Sequence, residues 1–281
     1  MKLLDGTEIA GYVTERQAKQ VRNLRQTWKV APKLAIIQTV DNPVIDTYVR
    51  MKRRYGEDIG IDVELHRVSS DELMATIDHC NQDDSVHGVI IQLPLADISQ
   101  TEAAVNAVAP EKDVDGLGEQ SHHVPATAEA IDWLLHGYNV ELKGKKIAVV
   151  GNGRLVGAPL VKLWKQAGYD VTVFDEHSKN VEKSLRRYSV IVSAAGVPNL
   201  IGSQSVQPGA VVIDAATTAE HGKIVGDIAP DVRERNDLTI TPEKGGVGPL
   251  TVVALFEHVI HAARKIAEAH QLQRDEASAE L

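Results

Sequence analysis

The stretch Lys145-Lys-Ile-Ala-Val-Val-Gly-Asn-Gly-Arg-Leu-Val-Gly157, continued by Ala158-Pro-Leu-Val-Lys-Leu-Trp-Lys-Gln-Ala167, decides the fold. Lys145 to Val150 is a short apolar run of the kind that forms a strand buried on both faces. Leu155 to Ala167 has helical apolar spacing, so a strand passes into a helix through Gly151-x-Gly153-x-x-x-Gly157. Glycine at 151 permits a tight turn, and glycine at 153 lets the backbone approach a pyrophosphate. The first turn of the helix offers unpaired N–H groups and the positive end of its dipole. Asp175 closes the next strand about two dozen positions on, where a carboxylate can accept from ribose hydroxyls and repel a 2′-phosphate. The candidate dinucleotide contacts are therefore Gly151, Asn152, Gly153, Arg154, Val156, Gly157 and Asp175. The plainer alternative is that the glycines only turn a strand into a helix, and that Asp175-Glu176-His177 is a solvated loop.

Outward from this loop the pattern repeats on both sides. Downstream, Asp170 to Phe174, Ser189 to Ala194 and Ala210 to Asp214 read as strands, and Val252, Leu255, Val259, Ala262 and Ile266 mark a closing helix with a charged tail, expected to fray, after Gln271. Upstream, an amphipathic helix through Ile9, Val13, Val21, Leu24 and Trp28 ends before Ala31-Pro32. Strands are expected over 34–38, 61–66 and 88–93, with helices over 41–58, 70–81 and 127–136. Strands alternating with helices imply parallel β-α-β units, hence an α/β fold. The stretch from Asp97 to Pro125, rich in polar and breaker residues, is the expected domain boundary.

Composition narrows the function classes. The 281 residues carry 30 Lys+Arg against 39 Asp+Glu, a net charge of −9, which disfavours a nucleic-acid binder, as does an aromatic content of 4%. Cys80 is the single cysteine, so no intrachain disulfide framework exists and a reducing cytoplasm is the expected location. No apolar run reaches the roughly 20 residues that span a bilayer. His122-His123 lacks carboxylate or cysteine partners at metal-ligand spacing and reads as a polar loop, so no metal is expected.

A second constellation lies in the first half. Tyr48 and Lys52 are four apart on one expected helix and so project from one face. A tyrosine can stack on a flat heterocycle while a lysine one turn away acts on it. Partial burial disfavours the charged amine and makes it a proton acceptor near neutral pH. Gln92-Leu93-Pro94-Leu95 ends an apolar strand at its carboxyl edge, where α/β folds place ligands, and Lys112-Asp-Val-Asp115-Gly116 supplies carboxylates in a turn. Gln92 can bond a lysine amine, and Asp115 can accept from an aminopyrimidine ring. Taken singly, each has a bland reading: a surface lysine, a strand-end glutamine, an Asp-Gly turn. Tyr-x-x-x-Lys also occurs in short-chain dehydrogenases, but there the glycine loop precedes the pair, whereas here the pair comes first.

Tyr48-Val-Arg-Met-Lys52, Gln92-Leu-Pro94-Leu95, Lys112 to Gly116, the loop from Gly151 to Pro159, Gly209 to Asp214, Gly226-Asp227 and Gly245-Gly-Val-Gly-Pro-Leu-Thr251 stand in an order and spacing that resemble the bifunctional methylenetetrahydrofolate dehydrogenase/cyclohydrolase family. The resemblance covers nearly the whole chain. It implies two α/β domains with a cleft between them: a folate-binding catalytic domain, 1–120 plus 252–281, and a Rossmann-like dinucleotide-binding domain, 121–251. It also implies oxidation of 5,10-methylenetetrahydrofolate by a nicotinamide cofactor, then hydrolysis to 10-formyltetrahydrofolate, within one-carbon metabolism. Lys52 would be the principal catalytic residue with Gln92 tuning it, Tyr48 would stack on the folate and Asp115 would anchor the pterin. Leu93, Pro94, Gly246, Val247, Pro249 and Thr251 would line the substrate side, and Ala195, Gly196 and Thr217 would add cofactor contacts. A homodimer paired through the nucleotide domains is implied as well.

The chain departs from the family at the nucleotide loop, where Gly151-Asn152-Gly153 replaces Gly-Arg-Ser and two phosphate contacts expected for NADP are missing. With Asp175 nearby, NAD is favoured over NADP, Arg154 and Lys179 being the substitute phosphate partners. Ile45 replaces an upstream serine, Leu117 to Val124 is shortened, Pro125-Ala-Thr-Ala replaces Pro-Cys-Thr-Pro, and Pro242-Glu-Lys244 replaces Pro-Val-Pro. The alternatives are a cyclohydrolase-only variant with impaired dinucleotide binding and a non-catalytic nucleotide sensor. Retention of Tyr48, Lys52, Gln92 and Asp115 weighs against the sensor.

Overall fold

The computed structural model describes residues 1–216, 218–220 and 223–279. In chain order the first elements are β1 (Lys2–Leu3), α1 (Gly6–Asn23, extended by a π-helical turn over Leu24–Trp28), β2 (Lys33–Gln38), α2 (Pro43–Ile59), β3 (Asp62–Arg67), α3 (Leu73–Gln82), β4 (Gly88–Ile91), α4 (Thr101–Ala107) and α5 (Ala126–Gly137). There follow β5 (Lys146–Val150), α6 (Gly157–Gln166), β6 (Asp170–Phe174), α7 (Val181–Leu185), β7 (Val190–Ser193), β8 (Val211–Asp214), β9 (Thr218–Glu220), β10 (Lys223–Val225), α8 (Pro230–Arg233), β11 (Thr239–Ile240) and α9 (Val247–Ala279). Among the described residues no helix is long and apolar enough to cross a membrane.

The chain divides into two compact units, one of Met1–Gly11 with Thr127–Thr251, the other of Tyr12–Ala126 with Val252–Leu281. The expected division put residues 1–120 wholly in the catalytic domain, and the first eleven residues depart from it. Their place follows from backbone pairing: β1 lies parallel to β11, with Lys2 opposite Thr239 and Leu3 opposite Ile240.

The sheet of the first unit has the order β1-β11-β8-β7-β5-β6, with parallel pairing throughout. Its inner strands are almost wholly apolar because helices cover both faces, and Ile147–Val149, Val190–Val192, Val212 and Ile213 are fully buried. One face packs Ile191, Val212, Ile240, Val232 and Leu238 into a core. Trp164 of α6 is also fully buried and donates its indole N–H to Asp132 Oδ1 at 2.9 Å, so its one polar atom is satisfied. From β5 the chain goes to β6 on one side and then crosses to β7 on the other. That reversal opens a crevice at the carboxyl ends of β5 and β7, where α/β folds take ligands.

In the second unit β2 lies between β3 and β4, all parallel. β2, at the centre, and β4 are buried, whereas β3 has only exposed and half-buried positions. The polar stretch expected as a boundary contains α4, whose Ala104 and Val105 close the core formed by Ala35, Ile37, Ile77, Cys80, Val89 and Ile91. α9 begins at Val247 and its backbone stays helical to Ala279, so the tail after Gln271 is longer in helix than expected.

Candidate active site

The carboxyl ends of β2 and β4 form the corresponding crevice of the second unit. Lys52, on the helix after β2, donates from Nζ to Gln92 Oε1 at 2.9 Å, just past the end of β4. Removal from water pushes the Lys52 ammonium below the ordinary lysine range, and Asp115 opposes that shift by Coulomb attraction. Burial likewise pushes the Asp115 carboxyl up, against the pull of Lys52. Lys52 is thus brought together with Gln92, the bond the sequence anticipated, and also with Asp115, a coupling it did not. Tyr48 is half-buried one helical turn before Lys52, Leu93 is half-buried, and Pro94 is exposed after a cis peptide bond.

The turn that carries Asp115 is built by its neighbours. Val89 N–H donates to Lys112 O at 2.7 Å, which joins the turn to β4. Asp113 accepts from the amides of Gly116 at 3.0 Å and Gly118 at 2.8 Å. Lys112 is 6% exposed and donates from Nζ to the carbonyls of Cys80, Asn81 and Asp83 at 3.1, 2.7 and 2.8 Å, closing the carboxyl end of α3. Val114 O accepts from His258 Nδ1 at 2.7 Å. Backbone shaping thus falls to Asp113 rather than Asp115. Lys112→Met leaves those α3 carbonyls without their donor, and the expected loss of stability is about 3 kcal/mol, read as a lower denaturant midpoint at unchanged slope.

His123 is not the solvated residue that a polar loop implies. Its ring stacks on His258 with centroids 4.4 Å apart and meets the edge of His261 at 5.8 Å. Burial and the neighbouring histidines push it down to about 3, so it stays neutral at physiological pH. Among the described residues no group of three or more His, Cys, Asp or Glu could hold a metal ion.

In the first unit the glycine loop joins β5 to α6. Gly151 has φ +98°, and an ideal Cβ there would lie 2.4 Å from Ala194 O. At Gly157 a Cβ would lie 2.0 Å from Gly151 O. These two glycines are demanded by the chain's own packing. Around Gly153 nothing lies within 4 Å of a Cβ position, so no internal contact explains glycine there, and the space fits the approach of a ligand to the backbone. Asn152, Gly153 and Arg154 are exposed and Val156 half-buried ahead of the helix. Asp175 is exposed at the end of β6, where its Oδ1 accepts from His177 N–H at 3.1 Å and Ser178 Oγ at 2.8 Å. Those bonds hold its carboxyl below the usual range.

Ala195 and Gly196 follow β7, but their amides are turned inward onto Asp227. The sequence marked Asp227 only as part of a Gly-Asp pair and gave it no role. Gly246, Pro249 and Thr251 belong to the first unit, at and just before the start of α9, with Thr251 Oγ1 hydrogen-bonded to Thr127 Oγ1 at 3.5 Å. Thr217 lies outside the described residues.

Comparison with known proteins decides the assignment. The sequence profile described as "Tetrahydrofolate dehydrogenase/cyclohydrolase, catalytic domain" matches residues 4–115, and that of the same family's NAD(P)-binding domain matches residues 125–267. The chain belongs to the tetrahydrofolate dehydrogenase/cyclohydrolase family. A family relative, the bifunctional protein FolD of Lactobacillus helveticus, is 35% identical over 277 residues, covering 94% of this chain and 98% of its own length. The crystal structure of the FolD methylenetetrahydrofolate dehydrogenase/cyclohydrolase of Campylobacter jejuni superposes with a TM-score of 0.89 at 32% identity, covering 94% of this chain and 99% of that one. The FolD enzyme of Trypanosoma brucei, solved with NADP and an inhibitor, gives 0.87 at 30% identity, covering 94% and 97%. Both tetrahydrofolate dehydrogenase/cyclohydrolase domains are therefore present in full order, with an NAD(P)-binding domain among them.

Proposed function

We propose that this protein oxidises 5,10-methylenetetrahydrofolate with a nicotinamide dinucleotide and hydrolyses the methenyl product to 10-formyltetrahydrofolate, with Lys52 as the proton-handling group. The observation that carries the reading is the Lys52 amine, depressed by burial and hydrogen-bonded to Gln92 at 2.9 Å beside Asp115. The cyclohydrolase-only alternative is not favoured, since the glycine loop keeps its strand-to-helix geometry and an open face at Gly153.

A nicotinamide dinucleotide held at the glycine loop by Gly151 to Gly157 would supply the hydride acceptor. The chain's residues position and handle protons. Asp115 accepts hydrogen bonds from the aminopyrimidine end of the pterin, and Tyr48 lies against the ring system, which fixes the one-carbon bridge relative to Lys52. The methenyl product is an electrophilic cation, so hydrolysis needs an oriented water and a base. Gln92 Oε1 holds one Lys52 proton and thereby aims the nitrogen lone pair. Lys52 takes a proton from the attacking water as the oxygen bonds to the bridge carbon. Cleavage of the bond to N5, which takes up the proton, leaves the formyl group on N10. Leu93, Pro94, Gly246, Pro249 and Thr251 are assigned to the folate.

The dinucleotide is assigned to Gly151, Asn152, Gly153, Arg154, Val156 and Gly157, with its phosphates at the start of α6. NAD is the preferred form, because Asp175 opposes a 2′-phosphate. Initial rates with NAD and NADP in parallel test this. For Asp175→Asn the ratio of the two kcat/KM values moves towards NADP by roughly tenfold, about the effect of 1.4 kcal/mol. An unchanged ratio removes Asp175 from the preference. A homodimer in the cytoplasm completes the proposal, and sedimentation at two concentrations reads the oligomeric state.

A further inference from the structure

The loop after β7, Ala194 to Val197, wraps around a fully buried carboxylate. Asp227 Oδ2 accepts from Ser193 Oγ at 2.7 Å, from Ala195 N–H at 2.8 Å and from Gly196 N–H at 3.3 Å, while Oδ1 accepts from Val197 N–H at 2.7 Å. Asp227 is 0% exposed. Successive amides converging on one point make an anion nest of the kind that elsewhere holds phosphate. Here the chain fills the nest itself. Asp227 is in turn held by its own backbone: its N–H donates to Asp214 Oδ1 at 3.1 Å, its carbonyl accepts from Ile201 N–H at 3.0 Å, and Asp214 is paired with Arg233 at 2.7 Å. Ala194 also abuts the glycine loop, where its carbonyl leaves no room for a Cβ at Gly151.

We infer that Asp227 is a positioning residue for the dinucleotide-dependent oxidation: its carboxylate ties the loop after β7 into shape beside the glycine loop and withholds those amides from the cofactor's phosphates. Ala195 and Gly196 then meet the dinucleotide through their outward surfaces rather than as phosphate donors. The inference rests on the dehydrogenase reading above, and it separates the two activities, since hydrolysis of methenyltetrahydrofolate consumes no dinucleotide.

Two measurements test it. In wild-type protein without dinucleotide, deuterium exchange across residues 194–197 is expected to be slow, because the amides are bonded inside. Exchange at the rate of an open loop overturns the inference, and this arm needs no variant. In Asp227→Asn, one acceptor oxygen becomes a donor facing other donors, so the KM for dinucleotide rises by about tenfold or more while kcat and KM for supplied methenyltetrahydrofolate stay within about twofold. A parallel fall in both activities marks a merely structural role and overturns it, as does an unchanged dinucleotide KM. Should Asp227→Asn fail to fold, Ser193→Ala removes one of the four donors, with a several-fold rise in the same KM expected and an unchanged value contradicting the inference. Wild-type protein without any dinucleotide turnover fails the underlying reading; turnover in wild type with Asp227→Asn unchanged fails this inference alone.

Discussion

Lys52→Met lowers kcat for hydrolysis of supplied methenyltetrahydrofolate by about 10²- to 10⁴-fold, the range over which a positioned acid-base group contributes. Methionine keeps the length and apolar body of the side chain, and Gln92 loses its partner at 2.9 Å, so the change removes the proton acceptor while leaving the helix intact. Dinucleotide reduction continues in this variant, and the methenyl intermediate accumulates where wild type consumes it. The pH profile carries the same signature. Burial lowers the Lys52 value, so the neutral amine is more abundant at a given pH than for a solvated lysine. The wild-type hydrolysis rate therefore rises with pH and levels off below the ordinary lysine range, whereas Lys52→Met loses that rise. Asp115 works in the opposite sense: its raised carboxyl takes up a proton earlier than an ordinary aspartate as pH falls, so the KM for folate climbs on the acid side. A Lys52→Met variant that hydrolyses at the wild-type rate would remove the lysine from the chemistry.

Gly157→Ala is the second large effect, and it falls on the other activity. An ideal Cβ at 157 lies 2.0 Å from Gly151 O, and because the obstacle is backbone, the loop or the start of α6 has to move. A displacement on the order of 1 Å at a positioned site costs about 10²-fold, so dehydrogenase kcat/KM for the dinucleotide falls by that amount. Hydrolysis of supplied methenyltetrahydrofolate stays within about twofold of wild type. Steady-state kinetics of both reactions on one preparation check this, and an unaltered dinucleotide constant would place the cofactor elsewhere.

Much of this site is readable in the chain because its signals are local. The glycine loop has a strand on one side and a helix on the other within about two dozen residues, and Lys52, on the helix that follows β2, comes together with Gln92, just past the end of the neighbouring parallel strand β4. The unread parts depend on distant pairing. β1 is two residues long and is held by β11, far along the chain, so no periodicity announces it. α4 is seven residues inside a polar stretch, and only the burial of Ala104 and Val105 against β4 and α3 explains it. Asp113 and Asp227 look like surface carboxylates by type. Each is buried because backbone amides close around it, and for Asp227 those amides come from a loop about thirty positions earlier. His123 follows the same logic, since its stacking partner His258 lies on α9.

Central to the proposed function is that one chain performs both steps. The most direct measurement incubates wild-type protein with 5,10-methylenetetrahydrofolate and NAD, then quantifies reduced dinucleotide and 10-formyltetrahydrofolate in the same sample. Equal amounts of the two products, with the methenyl form only transient, are the predicted result. Neither product, with NAD or with NADP, would contradict the assignment of both activities to this protein.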